Sequence, residues 1–191
     1  MRMYKEGNSF LKALFFIIII LIVVLFVGIF VLKRYIYPLD HFDIVKEEAA
    51  KNGLDPYLIM AIIKTESGFN KEATSNKEAK GLMQIMNSTA NDINNQINIV
   101  DEVGENIYDE DVNIALGCKY FGYLVNKYNG NYYLAICAYN AGMGNVDKWL
   151  EQVLINENLS EYRNVDLPFN ETEKYLKKVI TSYKMYKLLY R

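Results

Sequence analysis

The most distinct pattern in the chain is an unbroken apolar run near its start. Every residue from Ala13 to Leu32 is apolar or glycine, and basic residues close the run at Lys12 and at Lys33–Arg34. Twenty residues in a helix extend about 30 Å, which is the hydrocarbon thickness of a bilayer. The run therefore predicts one transmembrane helix.

A cleaved signal peptide is the alternative interpretation of this run. Such a peptide has a shorter apolar region of about 7–15 residues, followed by small residues at the cleavage site. Here the sequence VLKRYIYPLD follows, with neither such a site nor a cysteine that accepts a lipid. We therefore expect an uncleaved anchor at residues 13–32, between a tail at 1–12 and a linker at 33–40. More basic residues precede the span than follow it, which favours a cytoplasmic N-terminus and residues 41–191 on the extracytoplasmic side of the cell membrane.

Residues 41–191 carry apolar positions at helical spacing and predict one all-α domain. The segment LDPYLIMAIIKTESG has Asp55 as an N-cap, Pro56 in the first turn and Gly68 just past the end. Because Leu58–Ile63 is apolar on every side, we expect this helix at the buried centre of the domain. No run alternates as a strand would. Further helices are predicted in FDIVKEEAAKNG, DEDVNIALGCKYFGYLVNKYNG, NYYLAICAYNAG and ETEKYLKKVITSYKMYKLLY.

Charge and composition exclude several classes of function. A net charge of −2 gives no indication of a nucleic-acid partner. Cys118 and Cys137 are too few for a disulfide framework, so we expect buried thiols, with a single bridge as the alternative. His41 is the only histidine and no Cys/His cluster occurs, so we expect no metal and no cofactor.

Glu66 is the residue whose position calls for a chemical explanation. It follows Ile62 and Ile63 near the end of the apolar helix, where burial and the negative end of the helix dipole would both raise its pKa. A carboxylic acid that stays protonated near neutral pH is a general acid. In the alternative, Glu66 points to water and pairs with Lys64 or Lys71. Position alone leaves both interpretations open.

Three segments decide between them by their order and spacing. They read AIIKTESGFNKEATSNKEAKGLMQIMNSTA, AICAYNAGMGNV and LPFNETEKYLKKV. Together they resemble the signature segments of the soluble lytic transglycosylase family, relatives of goose-type lysozyme that cut the glycan strands of peptidoglycan. The resemblance covers most of residues 42–190 and implies a lysozyme-like all-α fold.

The resemblance also implies which residues act. Glu66 would be the catalytic acid, Gln84 would hydrogen-bond the sugar, and Met83 would form an apolar wall. The phenol of Tyr139 would hydrogen-bond the Glu66 carboxyl group. The residues implied to contact substrate are Ser67, Met83, Gln84, Tyr139, Asn140, Glu171 and Tyr175. The chain departs from the family pattern at Asn87, where proline is frequent.

The family's reaction needs only one carboxyl group. Glu66 would protonate the oxygen between N-acetylmuramic acid and N-acetylglucosamine, and the sugar's own 6-hydroxyl would then close a 1,6-anhydro ring. Glu72, Glu78 and Asp92 have the pattern of solvated positions, so no second carboxylate is evident.

The implied function is a membrane-anchored bacterial lytic transglycosylase acting on peptidoglycan. Two alternatives stay open, a muramidase that uses water and a non-catalytic wall-binding scaffold. The sequence identifies no further partner in the cell envelope.

Overall fold

The computed structural model describes residues 3–100, 103–157, 159–160 and 166–191, and for residues 3–10, 97 and 105 it describes the backbone. Arg2, one of the basic residues behind the predicted orientation, lies outside the described residues. The chain divides into two compact units, Met1–Leu39 and Asp40–Arg191.

The first unit is a long apolar helix. Helix α1 spans Met3–Val31 and continues as a π-helical turn over Leu32–Ile36. The stretch Leu11–Ile36 is 26 residues long, has no buried residue, and is apolar enough to cross a membrane. The first four residues of the predicted linker therefore still belong to the helical segment. The helix stops before Pro38, which disfavours helical backbone in the residue that precedes it.

The second unit is built from seven α-helices, a short 3₁₀ segment and a two-stranded sheet within the described residues. In chain order these elements are α2 (Phe42–Lys51), α3 (Pro56–Glu66), β1 (Ala79–Lys80), β2 (Ile85–Met86), α4 (Asn87–Ile97), the 3₁₀ segment (Gly104–Tyr108), α5 (Glu110–Lys127), α6 (Tyr132–Ala141), α7 (Met143–Glu151) and α8 (Asn170–Tyr190).

Helix α3 begins and ends where its sequence predicts. The carboxylate of Asp55 accepts a hydrogen bond from the Tyr57 backbone N–H at 2.9 Å, and Pro56 takes the first helical position, where no N–H is needed. Gly68 follows the helix with a φ of +59°, a conformation that favours glycine. The caps therefore fix the position of the residue that ends the helix, Glu66.

The core of the second unit surrounds α3. All six residues from Leu58 to Ile63 are buried, and α3 packs mainly against α8 and also against α2. Helix α5 packs against α6. The predicted central position of α3 is confirmed.

The two-stranded sheet corrects the expectation that the domain has no strand. Ala79 pairs with Met86 and Lys80 with Ile85 in antiparallel register. Each strand has two residues, which is too short for alternation to show in a sequence. The strands bring the intervening Gly81–Gln84 loop back onto the helices.

Candidate active site

Glu66 is the last residue of α3, and it is half-buried at the end of that helix. Burial raises the pKa of Glu66 from 4.5 to about 7. Lys71, a proposed partner in the alternative interpretation, instead pairs with Glu110 at 3.0 Å. The predicted direction of the pKa shift is therefore confirmed.

Tyr175 holds the Glu66 carboxyl group from α8. Its hydroxyl donates to Glu66 Oε1 at 2.6 Å, and the tyrosine is 7% exposed. The bond favours the charged form of the acid and so offsets part of the effect of burial on the Glu66 pKa. Burial, and then the nearby Glu66 charge, raise the pKa of Tyr175 well above its usual value. The phenol therefore keeps its proton and remains a donor.

Tyr139 does not make the bond predicted for it. Its hydroxyl donates to the carbonyl oxygen of Met83 at 2.8 Å, while its ring contacts Tyr120 and Phe121. The Glu66 charge contributes to the raised pKa of Tyr139, after burial, so the two groups lie near each other. The phenol that binds the acid is that of Tyr175, and Tyr139 instead ties the Gly81–Gln84 loop to α6.

Met83 supports this loop from inside the domain. Its side chain is 0% exposed, so it does not form the predicted apolar wall of an open cleft. A Cβ placed on Gly117 would lie 2.2 Å from the Met83 sulfur. The side chain thus occupies space that only a glycine on α5 leaves free.

Gln84 uses its amide nitrogen to close the loop. Nε2 donates to the carbonyl oxygens of Ala73 and Gly81, each at 3.0 Å, and the residue has a φ of +50°. The predicted sugar contact of Gln84 would therefore fall to its amide oxygen.

Asn113 is a structural residue of this region that the sequence interpretation missed. It is fully buried on α5, its Oδ1 accepts from the Met83 N–H at 2.7 Å, and its Nδ2 donates to the carbonyl oxygens of Lys80 and Ile107. Gly81 is required beside it, because a Cβ there would lie 2.2 Å from Asn113 Nδ2. A lone amide among the apolar residues of VNIALGC was the signal that could have identified it.

Asn140 and Thr172 form a second polar contact, between α6 and α8. The Thr172 hydroxyl donates to Asn140 Oδ1 at 2.8 Å, and Thr172 is 1% exposed. Asn140 was predicted to contact substrate, and Thr172 was missed although it stands beside Glu171 in the NETEKYL segment.

Ser67 and Glu171 are placed differently from the other predicted residues. The Ser67 hydroxyl donates to the Ile63 carbonyl oxygen at 3.3 Å and accepts from the Phe69 N–H at 3.1 Å, so it is engaged in ending α3. Glu171 is exposed in the first turn of α8. The structure brings Glu66, Tyr175 and Tyr139 together and does not place the Glu171 carboxylate in contact with them.

Glu72, Glu78, Asp92 and both cysteines make no hydrogen bond to Glu66 among the described residues, where the acid's side-chain partner is Tyr175. Glu72, Glu78 and Asp92 are exposed. No group of His, Cys, Asp or Glu suited to a metal ion occurs among the described residues. Cys118 and Cys137 are free and buried, and burial raises the pKa of Cys137 to about 12. These thiols are therefore core residues.

A cavity of about 720 Å³ lies apart from the acid. It is lined by residues of the α5–α6 turn and of α7, among them Lys127, Asn131 and Asp147. None of the eight predicted site residues contributes to it. The half-buried acid with its raised pKa is therefore a better guide to the site than this cavity.

Comparison with known proteins gives consistent results. The family model of the transglycosylase SLT domain matches residues 43–161. The chain is 31% identical over 145 residues to the soluble lytic murein transglycosylase of Salmonella typhimurium, an alignment that covers 75% of this chain and 22% of the relative. It is 32% identical over 171 residues to the membrane-bound lytic murein transglycosylase C of Edwardsiella ictaluri, covering 77% of this chain and 46% of the relative.

Solved structures show the same similarity. The 70 kDa soluble lytic transglycosylase of Escherichia coli superposes with a TM-score of 0.70 at 29% identity, over 80% of this chain and 25% of that one. An inactive mutant of the lytic transglycosylase of Pseudomonas aeruginosa gives a TM-score of 0.69 at 31% identity, over 80% and 24% of the two chains. The chain thus spans about a quarter of these structures and less than half of the curated relatives it matches.

Proposed function

The chain belongs to the family of transglycosylase SLT domains, and from that premise we propose that it is a membrane-anchored lytic transglycosylase of peptidoglycan. It cleaves the β-1,4 bond between N-acetylmuramic acid and N-acetylglucosamine and leaves 1,6-anhydromuramic acid ends. Relatives that carry the name lytic murein transglycosylase, soluble and membrane-bound, support the proposal.

The observation that carries the proposal is the state of Glu66. With a pKa of about 7, this carboxyl group is substantially protonated at neutral pH, where an ordinary glutamic acid is ionised. A general acid performs best when its pKa lies close to the working pH. Glu66 therefore has the proton that a glycosidic oxygen needs as its bond to C1 breaks.

The reaction proceeds through this single carboxyl group. Glu66 donates its proton to the leaving oxygen as the C1–O bond breaks. The resulting carboxylate then accepts the proton of the 6-hydroxyl group, whose oxygen bonds to C1 and closes the anhydro ring. The acid is regenerated and no water is consumed. An intramolecular nucleophile gains from proximity, which removes the need for a bound water and a base to activate it.

A hydrolase on the same fold would need a second carboxylate placed about 5–10 Å from the first. Among the described residues, Glu72 and Glu78 follow Glu66 in the same loop region but are exposed. In the described ranges of the chain, the side chain bonded to the acid is a phenol, that of Tyr175. This arrangement favours the transglycosylase over the muramidase.

The remaining predicted residues take supporting roles. Tyr175 orients the carboxyl group, and Tyr139 fixes the loop through the Met83 carbonyl oxygen. Asn140, Gln84 and the exposed Glu171 would contact the glycan.

The apolar helix supports a location in the membrane. We assign the anchor to residues 13–32, the cytoplasmic tail to 1–12, the connection to 33–40 and the catalytic domain to 41–191, on the outer side of the membrane. A membrane-bound relative and the apolar stretch Leu11–Ile36 support this arrangement.

The acid is tested by Glu66→Gln, which keeps the size of the side chain and removes its titratable proton. Release of soluble fragments from purified peptidoglycan by the full chain in detergent should fall by at least roughly 10²–10⁴-fold. Glu72→Gln and Glu78→Gln are matched controls and should stay near wild-type activity. Retention of most activity by a folded Glu66→Gln protein would show that the acid is misassigned. Equal loss in either control would favour a hydrolase with two carboxylates.

A further inference from the structure

Thr172 makes a buried contact that the reaction scheme leaves unused. It lies in the first turn of α8, and its hydroxyl donates to Oδ1 of Asn140 at 2.8 Å. With 1% of its surface exposed, Thr172 is shielded from water, and it does not reach substrate itself. Its hydroxyl acts on another side chain.

This contact fixes the orientation of the Asn140 amide. A carboxamide carries an acceptor oxygen and a donor nitrogen on one plane, so engaging the oxygen determines where the nitrogen points. Asn140 Oδ1 is turned toward α8 by the Thr172 hydroxyl. Within the described part of the chain, no group accepts a hydrogen bond from Asn140 Nδ2. The side chain is half-buried, so an oriented donor faces outward from the contact.

The contact that orients Asn140 neighbours the contact that holds Glu66. Thr172 and Tyr175 are three residues apart on α8, hence about 5 Å apart along its axis and on the same face, and both are buried. Tyr175 binds Glu66. On α6, Asn140 follows Tyr139, whose pKa responds to the Glu66 charge. The Thr172–Asn140 contact and the Tyr175–Glu66 contact therefore lie about one turn apart on the same face of α8.

We propose that Thr172 is a positioning residue, which holds the Asn140 amide so that Nδ2 donates to an acceptor oxygen of the bound glycan. The carbonyl oxygen of an N-acetyl group has the required chemistry, since it accepts and cannot donate. The proposal rests on the proposed function in that it assumes a glycan beside Glu66. It adds that recognition depends on a residue that never touches the sugar.

Thr172→Val and Thr172→Ser separate orientation from packing. Valine preserves the shape of threonine and removes the hydroxyl, which leaves Oδ1 without its donor and the amide free to turn over. Serine keeps the hydroxyl and loses only a methyl group. If the hydroxyl orients the Asn140 amide, Thr172→Val should weaken glycan binding and Thr172→Ser should not.

The measurement is binding of a soluble N-acetylglucosamine oligosaccharide to the full chain in detergent, in the Glu66→Gln background so that no cleavage occurs. Loss of one oriented hydrogen bond should weaken binding about tenfold in Thr172→Val, and Thr172→Ser should bind as the parent does. Asn140→Ala should weaken binding by a similar factor. In the Asn140→Ala background, Thr172→Val should have no further effect, because the two residues act as one unit.

Each other result has a distinct meaning. Parent-like binding by a folded Thr172→Val protein, or equal weakness of Thr172→Ser and Thr172→Val, overturns the positioning role. Additive losses in the double variant overturn it as well, since Thr172 would then act independently of Asn140. An oligosaccharide that does not bind the Glu66→Gln parent contradicts the proposed function itself.

Discussion

Two opposing influences set the protonation state of Glu66. Burial disfavours its carboxylate, and the hydrogen bond from Tyr175 stabilises it, with burial the larger effect. The acid therefore remains protonated enough to donate a proton, and once ionised it still has one donor to hold it in place. The proposed reaction requires this behaviour of a single side chain, which acts first as acid and afterwards as base.

The pH dependence of activity follows from the sign of this shift. The active protonated form of Glu66 is lost as pH rises through its pKa of about 7, so kcat/KM should fall on the alkaline side of neutral pH. Tyr175→Phe removes a bond that favours the charged form, which raises the pKa of Glu66 further. The alkaline limb should move up by about one pH unit, with a lower maximal rate.

The matched control for this profile is Tyr183→Phe. Tyr183 also lies on α8, but its hydroxyl binds Asp55 at 2.7 Å. Its loss should leave the alkaline limb where it is. A Tyr175→Phe profile that coincides with the wild-type profile would contradict the pairing of the phenol with the acid.

At this scale the sequence predicts the acid more surely than its partner. Glu66 is placed by the caps and apolar residues of its own helix, which are local features. Whether Tyr139 or Tyr175 reaches the carboxyl group depends on the rotation of α6 and α8 against α3, which no local pattern specifies. The same reason explains why the buried Met83 was expected at a cleft wall.

Among the secondary-structure elements, those with strong local signals were predicted and the others were not. Helices α3 and α5 have side-chain N-caps, Asp55 and Asp109. Helix α4 has no side-chain cap and is rich in asparagine, a poor helix former, and it was not predicted. The two-residue strands depend on tertiary contacts through Asn113, which are invisible in a single sequence.

The Gly81–Gln84 loop is joined to the helices through Asn113. Replacing the Asn113 side chain tests that connection. Asn113→Ala leaves the Met83 N–H and the Lys80 and Ile107 carbonyl oxygens without their partner inside the core. The free energy of unfolding of residues 41–191 should fall by at least about 2 kcal/mol. Urea unfolding monitored by circular dichroism measures it.

Asn126→Ala is the control on the same helix. Asn126 is exposed on α5, and its replacement should change the free energy of unfolding by less than about 0.5 kcal/mol. If Asn113→Ala unfolded at the same urea concentration as this control, the loop would not depend on the buried amide.

At the scale of the whole molecule, an apolar helix and an SLT domain share one chain. The family similarity concerns the second unit, because the matched family model begins at residue 43. The location proposed for this chain therefore depends mainly on the apolar character of the first unit, with a membrane-bound relative as further support.

Membrane attachment is tested by fractionation of cells that express the full chain. We expect the protein in the membrane fraction, resistant to carbonate extraction, with its N-terminal residues retained. A chain without residues 1–40 is the control and should be recovered in the soluble fraction. Recovery of a shortened soluble form that begins after Arg34 would instead identify the apolar run as a cleaved signal.

The most direct test of the central claim is the chemical identity of the fragments released from peptidoglycan. Mass spectrometry of muropeptides produced by the full chain in detergent should show 1,6-anhydro ends, lighter by one water than the hydrolysed equivalents and resistant to borohydride reduction. The Glu66→Gln protein, run in parallel, should release neither kind. Muropeptides with only reducing ends, formed by the wild-type chain and absent with Glu66→Gln, would contradict the account and make the protein a muramidase.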